Sequence, residues 1–186
     1  MKTTAFCVLL LALAASAPAQ TRERKGFLIG TSIGLGNSSP DQCLGCDTGL
    51  AFDLRVGVML KPRLGLLAWG GTVATAADIL SAFTSAHTGG FAALQYWPSE
   101  RFWLRAGGGV ADVSRAGPGF DYSTTHAAGI FGVGFEINPR NKVVVELALQ
   151  DLLSGNSPAR FAAEPAQKST VNSLMFTVGA TFYSRR

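Results

Sequence analysis

The chain has 186 residues, 47% of them hydrophobic and 15% charged, with 22 glycines and a formal net charge of +4. That length suits one domain, and so small a basic excess gives no ground for nucleic-acid binding. Mean hydropathy is +0.24, high for a soluble domain, yet beyond the first twenty residues no apolar run is long enough for a spanning helix. A membrane chain of this kind must cross as strands, because only helices and closed barrels satisfy every backbone polar group in lipid.

Lys2, the apolar run 5–15 and Ala17-Pro18-Ala19 before Gln20 read as a cleaved secretory signal over residues 1–19. Cys7 leaves with it. Residues 20–186 then form the barrel domain.

The first strand begins after Lys25. Phe27, Ile29, Thr31, Ile33 and Leu35 alternate with Leu28, Gly30, Ser32, Gly34 and Gly36. Residues 37–48 are rich in Asn, Ser, Pro, Asp and Gly and read as a loop. The second strand, 50–60, is the clearest. Every even position is apolar, and the odd positions carry Asp53, Arg55 and Gly57. Period-two alternation of this length means a strand with one apolar and one polar face. A tight turn at Lys61-Pro62-Arg63 leads to 64–74, where both faces are apolar and Trp69 reads as lipid-facing bulk. Residues 75–87 are a connection in which 76–80 could form a helical turn.

The fourth strand is 90–97, with a tight turn at Pro98-Ser99-Glu100-Arg101. The fifth, 102–111, sets Phe102, Leu104, Ala106 and Val110 against Trp103, Arg105, Gly107 and Gly109. Residues 112–125 read as a loop. The sixth strand opposes Ala127, Gly129, Phe131, Val133, Phe135 and Ile137 to Ala128, Ile130, Gly132, Gly134 and Glu136. After Asn138-Pro139-Arg140-Asn141, Val143, Val145, Leu147 and Leu149 alternate with Lys142, Val144, Glu146, Ala148 and Gln150. A last loop, 152–169, precedes an eighth strand with Leu174, Phe176, Val178, Ala180 and Phe182 on its apolar face.

Short connections carrying Pro62, Pro98 and Pro139 alternate with long ones. The expected fold is therefore all-β: a closed eight-stranded antiparallel up-and-down transmembrane β-barrel, with tight turns at one end and loops at the other. Ten residues per strand, at about 3.3 Å each and tilted by about 45°, match the apolar band of such a barrel.

The strand charges Asp53, Arg55, Arg105, Glu136, Lys142 and Glu146 all lie opposite the large apolar residues, so they are expected inside the barrel. An eight-stranded barrel is just wide enough for side chains to fill. Charges buried there must be paired, and three of each sign permits that. Outside the strands, the turn end is basic. The loop end holds Asp41, Asp47, Asp78, Asp112, Asp121, Asp151 and Glu164 against Arg115, Arg160 and Lys168. Such an acidic rim could be simple solubility, or it could attract divalent cations or a basic partner.

With eight strands and both termini at the turn end, residues 26–183 resemble the small outer-membrane β-barrels of the OmpA/OmpX type. The resemblance implies a bacterial outer-membrane location, outer-membrane lipid as surroundings and a monomeric state. It also implies insertion by the barrel assembly machinery, with Phe182 or Tyr183 as the terminal aromatic ahead of Ser184-Arg185-Arg186.

Behind a signal peptide, Cys43 and Cys46 read as a disulfide in the first loop. With His87 and His126 they could instead ligate zinc, but nothing in the spacing forces these segments together, and neither metal nor cofactor is expected. The chain also resembles lipid A deacylases in size. Their His-x-Ser pair is missing at His126-Ala127-Ala128, so no catalytic residues are assigned and no enzyme is expected. Tyr96, Trp97, Phe102, Trp103 and Tyr183 lie near strand ends and suggest an interfacial girdle. The leading expectation is a structural or surface-interaction protein of the cell envelope, its lumen plugged by paired charges. The alternatives are a narrow transport, porin-like or ligand-binding barrel, and a soluble secreted lipocalin-like barrel.

Overall fold

A computed structural model describes residues 24–40, 47–76, 84–117, 120–159 and 167–185. They form eight strands: β1 (Lys25–Pro40), β2 (Asp47–Lys61), β3 (Leu64–Ala76), β4 (Thr84–Tyr96), β5 (Phe102–Gly117), β6 (Phe120–Glu136), β7 (Val143–Ala159) and β8 (Gln167–Arg185). Each strand pairs with the next, and β8 returns antiparallel to β1, closing the sheet into a barrel. Closure leaves no edge strand along the body of the wall, which is what a β protein needs in lipid.

The strands are longer than expected, from 13 residues in β3 to 19 in β8. The extra length comes from the stretches read as loops. β5 and β6 keep pairing through Val113–Thr124 to Gly117–Phe120, inside the predicted loop 112–125. β1 and β2 pair as far as Ser38–Asp47. Antiparallel partners satisfy each other's backbone in water as well as in lipid, so polar composition does not end the ladder where the apolar belt ends. The helical turn considered over 76–80 falls largely outside the described residues; Ala76 itself ends β3.

The connections at the other end are tight. The chain turns at residues 62–63, where the Trp97 amide donates to the Arg63 carbonyl at 2.9 Å. In the third turn the Asn141 amide donates to the Asn138 carbonyl at 3.2 Å.

Alternation decides what faces outward. Leu50, Phe52, Leu54, Val56, Val58 and Leu60 are all exposed, Leu50 at 64%. Ile33, Val110, Phe131, Phe135, Val143 and Phe176 continue the same belt around the wall. A soluble lipocalin-like barrel would turn this face inward, so that alternative is corrected. An apolar belt encircling a closed barrel is stable only against lipid.

Two expectations about facing also change. Trp69 is 2% exposed and points into the barrel. Trp97, Trp103 and Tyr183 are buried as well, while Tyr96 is exposed and Phe102 half-buried. Most of the anticipated aromatic girdle is thus part of the interior packing.

Candidate functional site

The interior is the candidate site, because the alternating strands send their chemistry there. Asp53 and Arg55 from β2, Arg105 from β5, Glu136 from β6 and Glu146 from β7 are all buried. Lys142 is not. It lies in the turn before β7 and is exposed, so its place among the interior charges is corrected. A residue one step before a strand is not held to the strand's alternation, and a lysine free to reach water keeps its ammonium there. Arg24, read as a turn-end charge, is 5% exposed and folds beneath the barrel. Near it the β1–β8 register shifts between Lys25 and Leu28, and Gly26 has a φ of 80°. Glycine adopts that left-handed conformation without a Cβ clash, and the bulge redirects the chain. Arg24, Arg55 and Arg105 thus face Asp53, Glu136 and Glu146, and the balance of three and three is kept with one member exchanged.

At the turn end these groups form a dense cluster. Glu136 Oε2 accepts from Arg24 Nη2 at 2.9 Å. Its Oε1 accepts from Trp97 Nε1 at 2.9 Å and from the Tyr183 hydroxyl at 2.8 Å. The Arg24 guanidinium also stands 4.8 Å from the Trp97 ring centroid, and Trp97 meets Tyr183 edge-on at 6.3 Å. Such cation–π and edge contacts strengthen away from water. Trp103 lies against Gly134, where an added Cβ would come within 2.2 Å of its Cζ2, so the missing side chain of β6 makes the room for the indole.

Above this cluster lies a polar network. Arg55 binds Asp53 Oδ1 at 2.7 Å, donates to Thr181 Oγ1 at 2.8 Å and pairs with Glu146. Asp53 Oδ2 also accepts from Ser32 and, at 2.8 Å, from Gln150 Nε2. Arg105 is held differently. Its Nε and Nη2 donate to Gln95 Oε1 at 3.0 and 2.7 Å, and its Nη1 donates to Gln150 Oε1 at 2.5 Å. Gln150 therefore bridges Arg105 to Asp53, passing charge complementarity through an amide. The Arg105 guanidinium also lies 4.4 Å from the Trp103 ring centroid.

Toward the loop end the interior becomes apolar. Trp69 and Phe91 pack at 5.4 Å, with Val73, Ile130, Leu152 and Met175 buried in the same cluster. Beyond them His87 Nδ1 and Ser173 Oγ lie 2.7 Å apart, and Ser173 donates to Ser38 Oγ at 3.1 Å. His126 bonds through Nε2 to Thr124 Oγ1 at 2.8 Å. Cys43 and Cys46 lie outside the described residues. Among the described residues no three His, Cys, Asp or Glu side chains are grouped to hold a metal ion.

Asp151, read as a loop-end charge, is instead in the wall. It lies in β7 between the exposed Leu149 and Leu153 of the same face, and it pairs laterally with Phe131 and Leu174. A half-buried carboxylate thus interrupts the apolar belt near its outer edge.

Comparison with known proteins places this architecture. A family model described as the outer membrane protein β-barrel domain matches residues 6–182. The crystal structure of Neisserial surface protein A superposes with a TM-score of 0.61 at 13% identity, covering 87% of this chain and 99% of that one. The crystal structure of Ail, the attachment invasion locus protein of Yersinia pestis, was solved in complex with the heparin analogue sucrose octasulfate. It superposes with a TM-score of 0.51 at 15% identity, covering 84% and 99%. A search of curated protein sequences gave no significant match.

Proposed function

The chain belongs to the outer-membrane protein β-barrel family, and we propose that it is a non-enzymatic barrel of structural or surface-interaction type whose lumen is closed by its own side chains. Its place is the bacterial outer membrane, where outer-membrane lipid surrounds the belt. The observation that carries the proposal is the stacking of interior groups. The Glu136 cluster, the Asp53–Arg55–Glu146 network and the Trp69–Phe91 layer succeed one another along the axis. Buried charges with partners on several strands tie the wall together, and breaking such a pair costs far more than leaving it. In the same reading, residues 1–19 are a removed signal, the barrel assembly machinery inserts the chain, and it works as a monomer.

The contact surface of this reading is the loop end. By sequence it carries Asp41, Asp47, Asp78, Asp112, Asp121 and Glu164 against Arg115, Arg160 and Lys168. Asp112 is held by Ser123 Oγ at 2.6 Å and Thr125 Oγ1 at 3.3 Å. Ail was crystallised with a polyanion, whereas an acidic rim favours the opposite partner: a divalent cation or a basic surface. Liposomes containing the refolded barrel should not swell in isotonic arabinose. They should retain a basic peptide at low salt and not sucrose octasulfate. Swelling at porin-like rates would favour the transport reading, and retention of the polyanion alone would refute the acidic contact surface.

A further inference from the structure

A carboxylate stands in the lipid-facing wall. Asp151 on β7 shares its outward face with Leu149 and Leu153, both exposed. Its lateral partners are Phe131 on β6 and Leu174 on β8, exposed as well. Four large apolar side chains thus form a collar around one acid. The collar also sets its depth. Leu153 lies one outward-facing position nearer the loop end, a rise of about 5 Å for two residues on a strand tilted by about 45°. The apolar belt therefore continues past Asp151, whose carboxylate lies at the level of hydrocarbon and not of headgroups.

An ionisable group at membrane depth is costly and characteristically meets a partner. The four side chains of the collar are all apolar, so none can donate a hydrogen bond. The described cations of the chain lie elsewhere. Arg24, Arg55 and Arg105 are buried in the barrel. Arg115 and Lys168 lie near the tips of the long hairpins, and the others are at the turn end. Among the described residues, then, a second copy of this chain has no cation to offer at this depth. A lipid amine belongs to the headgroup layer, beyond Leu153.

What reaches the collar is a long cationic side chain on a neighbouring membrane-spanning protein. A lysine or arginine lays its apolar stem along such a surface and keeps its charge for a carboxylate. A polar centre ringed by apolar groups that exclude water is also where an interfacial charge pair contributes most. We propose that the outer half of the β6–β8 wall docks a different integral membrane protein through a lysine or arginine that pairs with Asp151, with Phe131, Leu149, Leu153 and Leu174 closing around the pair. This surface is separate from the acidic loop end and does not depend on what binds there.

The test places the refolded whole barrel in dimyristoylphosphatidylcholine vesicles with a membrane-spanning Leu/Ala peptide helix of about 20 residues. The peptide carries one lysine about 5 Å below the hydrocarbon edge, the depth of Asp151. Energy transfer from a donor on the barrel to an acceptor on the peptide reports association. The lysine peptide should bind at least about tenfold more tightly than the same peptide with leucine in that place, as a desolvated charge pair requires. Asp151→Leu should abolish the preference, and Asp151→Glu should keep most of it. Equal binding of the two peptides to the wild-type barrel would overturn the proposal, as would a lysine preference that Asp151→Leu leaves intact. Loss of the preference when phosphatidylethanolamine replaces the phosphatidylcholine would overturn it too, by assigning the carboxylate to a lipid amine. Heat-shifted gel migration checks that each variant folds, and Asp151→Asn takes the place of Asp151→Leu if the latter does not.

Discussion

At the turn end of the barrel one carboxylate, Glu136, gathers Arg24, Trp97 and Tyr183 from three separate parts of the chain. At the loop end His87 meets Ser173 through one nitrogen, and Ser173 passes the bond to Ser38. The wall follows the same gradient. All eight strands are laddered at the turn end, while the β6–β7 ladder has its last pair among the described residues at Ala128–Ser154. The contrast shows where the barrel spends its cohesion. Charge pairs and indoles lock the end with short turns, and the end with long hairpins has no comparable cluster among the described residues. Local stability in proteins is commonly distributed this way, with binding elements drawn from the weaker end.

That contrast can be broken from either end. The largest effect belongs to Arg55→Ala, which leaves Asp53 and Glu146 buried without their shared cation. It should cost about 3–5 kcal/mol in urea unfolding followed by gel migration. Trp103→Ala should come close, at about 3–5 kcal/mol, because the void above Gly134 cannot collapse against a glycine. An intermediate loss, about 2 kcal/mol, is expected for Gln150→Leu, which strips a bridging acceptor from Arg105 and a donor from Asp53. At the loop end His87→Phe should cost only about 1 kcal/mol, the net value of one hydrogen bond. Equal costs for Trp103→Ala and His87→Phe would erase the proposed difference between the ends. Smallest, and opposite in sign, is Asp151→Leu. Removing a charged group from the outer part of the lipid face should stabilise by up to about 1 kcal/mol in lipid vesicles. No gain would mean that Asp151 has a partner there.

Most of the fold was legible because one rule, alternation, acts on every strand. Asp53, Arg55, Arg105, Glu136 and Glu146 could be placed inward by parity alone. Strand length was not legible, since composition reports the lipid boundary and the ladder ignores it. Asp151 shows the consequence. It shares parity with Leu149 and Leu153, but a strand stopped at Gln150 hides it in a loop. Trp69 was misplaced for another reason: Leu66 and Ala68 on one face and Leu67 and Trp69 on the other are all apolar, so parity has nothing to separate. Trp97 continues the inward series of Phe91, Ala93 and Gln95, a signal masked by its position at a strand end. Arg24 precedes the first strand, where no periodicity applies, and only the bulge at Gly26 brings it to Glu136. Gln95 and Gln150 were passed over because uncharged amides draw no attention in a charge count, although they are the partners that hold Arg105.

The central claim is a lumen closed by the protein's own side chains. Planar-bilayer recording of the refolded wild-type barrel tests it most directly. The account predicts no stable conductance steps above the bare-membrane baseline at either polarity. Large, long-lived steps that scale with salt concentration would contradict it.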